Sequence, residues 1–209
     1  MGDVKRVTIL SVDDHPLLRE GVAAIIGSQA DMVLLGAAET GADGIEKYRE
    51  FRPDVTLMDL RLPDISGIEA IIAIRTLSPN ARIIVLTTFE GDVEIERALK
   101  AGACGYLLKS MPPKQMVDAI RQVHAGKKLI PPEIAAQIAE HMSDDTLSKR
   151  ELEVLSHVAG GNRNRDIAEL LFMSEETVKV HLKHAMEKLG ANDRTQAVAI
   201  ALRRGMIQI

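Results

Sequence analysis

Apolar residues recur through the first 125 positions in two alternating rhythms. Short β-branched runs at Thr8–Val12, Met32–Ala37, Val55–Met58, Arg82–Leu86 and Gly105–Leu108 read as strands. Between and after them, Leu17–Ile26, Ala42–Phe51, Ile68–Leu77, Val93–Lys100 and Lys114–Ala125 carry apolar positions at helical spacing, bounded by turn chemistry such as Pro53-Asp54, Pro79-Asn80 and Ala101-Gly102. Such alternation predicts a doubly wound α/β domain, a five-stranded parallel sheet with right-handed crossovers and helices on both faces.

After Ala125 the rhythm stops. Residues 126–145, with Pro131-Pro132 and a modest helical stretch, read as a linker carrying one short helix. From Thr146 onward no strand pattern remains. Ser148 with Glu151 three residues later predicts a capping box and a helix to Ala159, ended by Gly160-Gly161. Asn164 is expected to cap a second helix through Leu171, and Ser174 a third running to Leu189, with Gly190 beyond its end. Asp193 or Asn192 would cap a fourth reaching Arg204. The chain thus divides into an α/β domain (1–125), a linker (126–145) and an all-α domain (146–209) of the size of a DNA-binding module.

Composition adds limits. An apolar fraction of 46% and a charged fraction of 27% are those of an ordinary globular protein. No apolar run approaches the roughly 18 residues of a bilayer span, and Met1–Arg6 has no secretory character, so a cytoplasmic protein is expected. Cys104 stands alone, which excludes a disulfide framework or a zinc constellation and predicts a small buried residue. Residues 146–209 hold 10 Lys+Arg against 8 Asp+Glu, a net of +2, while residues 1–145 hold 16 against 22, a net of −6. Phosphate neutralisation favours the second half for nucleic acid. Two Tyr, three Phe and no Trp leave little for base stacking, which points to duplex rather than single-stranded targets.

Polar residues at the carboxyl ends of the strands carry the chemistry. Asp13 and Asp14 follow the first strand, Asp59 the third, Thr87 the fourth and Lys109 the fifth, whereas the second ends in Ala37-Ala38. Sheet order 2-1-3-4-5 explains that pattern, because ligands of open α/β sheets bind at the switch point, here between strands one and three. Three neighbouring carboxylates repel unless a cation lies among them, and oxygen ligands with open positions suit Mg2+. His15 beside them is expected to serve the loop or cap, with Thr88 and Phe89 near enough to tune the site. No GxxxxGK[ST] loop is present, so the chain has no nucleotide-phosphate cradle of that form.

Asp13-Asp14, the stretch Leu57-Met58-Asp59-Leu60-Arg61-Leu62-Pro63, Thr87 and Gly105-Tyr106-Leu107-Leu108-Lys109 resemble the flavodoxin- and CheY-like receiver domain of two-component response regulators. The resemblance implies that Asp59 is the phosphoacceptor. It also implies that Asp14, Asp59 and the Arg61 backbone carbonyl bind Mg2+ directly, Asp13 through water. Lys109 would pair with the phosphoryl oxygens, Thr87 would hydrogen-bond one, and Tyr106 would rotate inward as Thr87 moves. It further implies a sensor histidine kinase as partner and no enzymatic turnover beyond self-phosphorylation and slow autodephosphorylation.

The segments Leu147–Leu155, Asn164–Ala168 and Ser174–His181 resemble the output domain of the NarL/FixJ subfamily, the LuxR-type helix-turn-helix. The helices around the Phe172-Met173 turn would form the DNA-reading motif. Val178, Leu182, Met186 and Leu189 are expected to face the core, with Lys179, Val180, Lys183, His184 and Lys188 on other faces. The resemblance implies base contacts from Lys179, Val180 and Lys183 and phosphate contacts from Thr177, Lys188 and Arg194. Phosphorylation would favour a homodimer, with Val198, Ala201 and Leu202 candidates for contact between DNA-bound domains. Two other readings remain open at this level: a DNA-binding regulator controlled by a partner protein without phosphorylation, and a metal-dependent phosphatase.

Overall fold

The computed structural model describes residues 6–88, 92–130 and 147–207, which fall into two compact units. The first unit runs β1 (Val7–Val12), α1 (Pro16–Gly27), β2 (Met32–Ala38), α2 (Gly41–Phe51), β3 (Val55–Met58), α3 (Gly67–Leu77), β4 (Ile83–Thr87), α4 (Asp92–Lys100), β5 (Gly105–Leu108) and α5 (Pro113–His124). All pairings are parallel and the order is β2-β1-β3-β4-β5, as the strand-end chemistry predicts. Alternate strand residues Ile9, Leu57, Ile84, Leu86 and Leu107 pack with Val22 and Ile26 of α1 and with Met116, Val117, Ile120 and Val123 of α5. Their neighbours Leu10, Val12, Met58 and Val85 are equally buried, so both faces of the sheet are covered.

Boundaries shift where local signals are weak. Arg82 lies outside β4 and Thr87 inside it, because pairing with β5 extends to Thr87–Leu108. A capping box at Ser66 and Glu69 opens α3, with Ser66 N donating to Glu69 Oε2 at 2.9 Å and Glu69 N to Ser66 Oγ at 3.2 Å. The chain stays with the sheet past α5: Leu129 bridges Gly105, donating to the Cys104 carbonyl and accepting from Tyr106 N. Cys104 is half-buried at the core's margin rather than enclosed. The short helix expected in the linker lies outside the described residues. No helix among the described residues is long and apolar enough to cross a membrane.

The second unit contains α6 (Lys149–Ala159), α7 (Asn164–Leu170), α8 (Glu175–Leu189) and α9 (Arg194–Arg203). Ser148, Ser174 and Asp193 cap α6, α8 and α9 through side-chain acceptors, and Gly190 closes α8 in the left-handed region at φ 61°. Asn164 is not a cap but the first residue of α7; Arg163 precedes it and donates its N–H to Asp166. The core joins Leu147, Val154, Leu155, Ile167, Val178, Leu182, Ala185, Ala197 and Ala201.

Candidate functional site

Three ladder bonds continue past the strands and set the acidic rim. Asp13 N donates to the Ala38 carbonyl at 3.0 Å, Asp59 N to that of Val12 at 2.9 Å, and Lys109 N to that of Thr87 at 2.8 Å. The parallel sheet thereby places residues that lie up to 96 positions apart beside one another at the switch point. Lys109 Nζ stands 2.7 Å from Asp13 Oδ2 and 2.7 Å from Asp59 Oδ2, and these three side chains are 8%, 3% and 3% exposed. Asp14 is more open, its Oδ1 lying 2.7 Å from Nδ1 of the exposed His15. His15 occupies the N-cap position of α1 but its side chain makes no capping bond.

Burial pushes the Asp59 carboxyl above the ordinary carboxylate range and the Asp13 charge adds to the rise, against the opposing pull of the Lys109 ammonium. Burial alone would lower Lys109, yet Asp13 and Asp59 outweigh it and hold the amine above the ordinary lysine range. One ammonium among three carboxylates leaves an excess of negative charge. Ligand atoms of Asp13, Asp14, His15 and Asp59 all lie within 4.8 Å of one another. Asp13 Oδ2 and Asp14 Oδ1 are buried, and their polar neighbours are the ion contacts already described, Lys109 Nζ and His15 Nδ1. An oxygen-rich set with surplus negative charge fits a hard divalent cation, which would also draw Asp59 back to its charged form.

Thr87 ends β4 and is buried, as is Tyr106 on the adjoining strand. Arg61 is exposed on the loop after Asp59, its N–H donating to Asp59 Oδ1 at 3.3 Å. Thr88 is exposed, and Phe89 lies outside the described residues. Two supports escape the strand-end pattern. Arg19 Nη1 donates to the Asp13 carbonyl at 2.8 Å while its other nitrogen pairs with Glu39. Gly67 packs against the Asp59 backbone so closely that a Cβ there would fall 2.0 Å from the Asp59 carbonyl oxygen. The Ser66-Gly67 pair at a helix start is a local signal; its contact with Asp59 is not.

In the second unit, α7 and α8 flank a turn in which Phe172 takes a left-handed φ of 53°, held by a bond from Met173 N to the Ala168 carbonyl and by Arg150 Nη2 on the Leu171 carbonyl. Val178, Leu182 and Ala185 are the buried residues of α8; Met186 and Leu189 are only partly buried, at the core's edge. Lys179, Val180, Lys183 and His184 are exposed and share the opposite face by helical spacing. Lys179 lies 3.3 Å from Glu176 and Lys183 lies 3.7 Å from Glu187, exposed pairs that cost little to break. Thr177 Oγ1 meets Ser174 Oγ at the start of α8, and Arg194 Nη2 donates to the Asn162 carbonyl at 3.1 Å.

One expectation changes here. Lys188 does not stand out for a phosphate: its Nζ pairs at 2.9 Å with Glu151, which is buried and also accepts from Ser148 N at 2.7 Å. Ala201 is buried in its own domain's core, while Val198 and Leu202 pack against that core and stay half-buried. Burial alone would raise the Glu151 carboxyl, but Lys188 and the Ser148 backbone and hydroxyl outweigh it and hold it below its ordinary range. A depressed carboxyl adds stability that is present above the unfolded value of about 4.3 and is lost as pH falls through the folded value. Glu151→Gln is therefore expected to lower this unit's stability by about 1–2 kcal/mol at neutral pH and to flatten its decline in acid, as urea unfolding at neutral and acidic pH would measure.

A parallel sheet ending in clustered acids and a lysine, together with a helix-turn-helix, defines a class, and sequence comparison agrees. The response regulator receiver domain family matches residues 9–121, and the luxR family of bacterial regulatory proteins matches residues 145–201. The chain belongs to the response regulators that join these two domains. It is 42% identical over 215 residues to the uncharacterized transcriptional regulatory protein YxjL of Bacillus subtilis (strain 168), covering 97% of this chain and 98% of that one. It is 35% identical over 207 residues to the response regulator protein VraR of Staphylococcus aureus (strain Mu3 / ATCC 700698), covering 97% and 99%. Among solved structures, that of the two-component response regulator RcsB–DNA complex is similar with a TM-score of 0.69 and 25% identity, covering 95% of this chain and 99% of that one.

Proposed function

We propose that this chain is a phosphorylation-dependent transcriptional regulator that accepts a phosphoryl group on Asp59 from a sensor histidine kinase and binds duplex DNA through α8. The observation that carries the reading is the convergence of Asp13, Asp59 and Lys109 within ion-pair distance at the carboxyl rim of the sheet. An Asp59 carboxylate oxygen attacks the phosphorus of a phosphohistidine in line; the P–N bond breaks, its electron pair leaves with the donor imidazole, and a proton from solvent completes that ring. Lys109 exchanges the Asp59 carboxylate for the phosphoryl oxygens, which carry the charge of a loose transition state. Thr87 supplies a hydrogen bond to one of them. Mg2+, held by Asp14, Asp59 and the Arg61 carbonyl with Asp13 through water, would neutralise further charge on those oxygens.

The added charge would bias the receiver between two conformations through Thr87 and Tyr106, and the favoured one would dimerise, placing two α8 helices on adjacent half-sites. Lys179, Val180 and Lys183 face the bases, with Thr177, His184 and Arg194 at the flanking backbone. Lys188 instead secures α8 to α6. Asp59→Asn tests the reading directly: it should take up no phosphate from a small phosphodonor and lose all phosphodonor-stimulated DNA binding, and stimulation that survives would reject it. Replacing both Lys179 and Lys183 by Ala should weaken binding about 100-fold to an operator selected from random duplexes, with a shallower salt dependence. Fluorescence anisotropy across a salt series checks this, and unchanged affinity would remove α8 from the interface.

A further inference from the structure

The loop from Asp59 to α3 is held at more than its two ends. Asp64 Oδ1 accepts from Gly41 N at 2.8 Å and its Oδ2 from Ala42 N at 2.9 Å, so a residue 23 positions away satisfies the first two N–H groups of α2. Thr40 takes the next two, its Oγ1 from Asp43 N at 3.2 Å and its carbonyl from Gly44 N at 3.0 Å. Three of the donors that a helix start leaves open, on Gly41, Ala42 and Asp43, are thereby matched by side chains, and the Gly44 bond begins the ordinary helical ladder. Ile65 seals the same contact: a Cβ on Gly41 would fall 2.4 Å from Ile65 Cγ1. The Asp64 carboxyl is held below its ordinary range, chiefly by the Ala42 and Gly41 N–H groups.

The start of α2 reaches the other acidic loop as well. Glu39, just before Thr40, pairs with Arg19, and Arg19 donates to the Asp13 carbonyl at 2.8 Å. One helix terminus therefore braces both loops that carry the clustered acids.

We propose that Asp64 is a positioning residue: by hooking the loop after Asp59 to the N-terminus of α2, it presets the Asp59 and Arg61 backbone for cation binding. The inference rests on the functional reading above. A free loop would have to be ordered each time a cation binds, at a cost of conformational entropy, whereas the anchored loop meets that cost on folding. Residues that orient metal ligands typically contribute 10- to 100-fold to metal affinity. Asp64 is not among the proposed cation ligands, since its two oxygens are engaged by Gly41 and Ala42 N.

Calorimetric titration of Mg2+ into the full-length protein tests this, with thermal unfolding midpoints followed in parallel. Asp64→Ala should raise the Mg2+ dissociation constant about tenfold, and Asp64→Asn, which keeps one carbonyl acceptor, should fall between it and the parent. A merely structural role would lower the unfolding midpoint without moving the dissociation constant of the folded protein. If both variants bind Mg2+ within about twofold of the parent, the proposal is wrong; if Asp64→Ala does not fold, Asp64→Asn alone decides by the same threshold. Phosphate uptake by the parent is measured separately, so a protein that binds Mg2+ through the anchored loop yet takes no phosphate would reject the functional reading and leave the anchor standing.

Discussion

Lys109→Met is expected to destabilise the sheet unit by about 3 kcal/mol when divalent cations are chelated, and to recover most of that stability in excess Mg2+. The Lys109 ammonium lies 2.7 Å from a carboxylate oxygen of both Asp13 and Asp59, and all three side chains are at least nine-tenths buried. Methionine keeps most of the unbranched side chain, one atom shorter, and removes the ammonium group. Two buried carboxylates then face each other without a cation, an arrangement relieved only by a proton or a metal ion. Asp59 already sits above its ordinary range because of burial, and losing Lys109 raises it further. The sign follows: protonating a carboxyl whose folded pKa is raised stabilises the fold, so the variant should gain stability as pH falls through the carboxylate range. Phosphorylation should fall with it, because Lys109 is the ammonium already paired with the Asp59 carboxylate oxygen. Urea unfolding with chelator and with Mg2+ is the measurement, and equal stability of parent and variant in chelator would show that Lys109 does not neutralise the pair.

Gly67→Ala is expected to cost about 3 kcal/mol and to abolish rapid phosphorylation. Gly67 has no unusual backbone angle to justify it; the need is for space. An added Cβ would lie 2.0 Å from the Asp59 carbonyl oxygen and 2.7 Å from Leu60 Cα, and both are main-chain atoms that cannot swing aside. Either α3 retreats, breaking the 2.9 Å bond from Gly67 N to the Leu60 carbonyl, or the phosphoacceptor segment moves. Gly21 is the control. It sits inside α1 with nothing within 4 Å of an added Cβ, so Gly21→Ala should stabilise by about 0.5–1 kcal/mol. Thermal unfolding of both variants separates the cases, and a Gly67→Ala protein as stable as its parent would show that the loop around Asp59 yields freely.

Much of this architecture was legible because its signals are short in range. Strand runs, helical spacing and caps such as Ser148, Ser174 and Asp193 act over four residues or fewer, and they stand where the pattern predicts. An error fell where two local choices were nearly equal, with Arg163 preceding α7 in place of an Asn164 cap; Met186 packs at the core's edge as its spacing predicts, but the buried Ala185 beside it was not foreseen. A small residue is chosen there because the helices pack closely, and closeness is not a property of one helix.

By itself, the sequence determined the elements, the order in which acids, threonine and lysine meet strand ends, and a basic face on α8. Those follow from periods of two and 3.6 residues and from the rule that parallel sheets gather chemistry at a switch point. Tertiary structure alone decided that Lys109 bridges two carboxylates, that Arg19 and Asp64 brace the loops that carry them, that Gly67 must be bare, and that Lys188 belongs to Glu151. Each joins residues of different elements, many of them tens of positions apart. Such contacts are set by how the elements pack, and packing is resolved only when the chain has closed on itself.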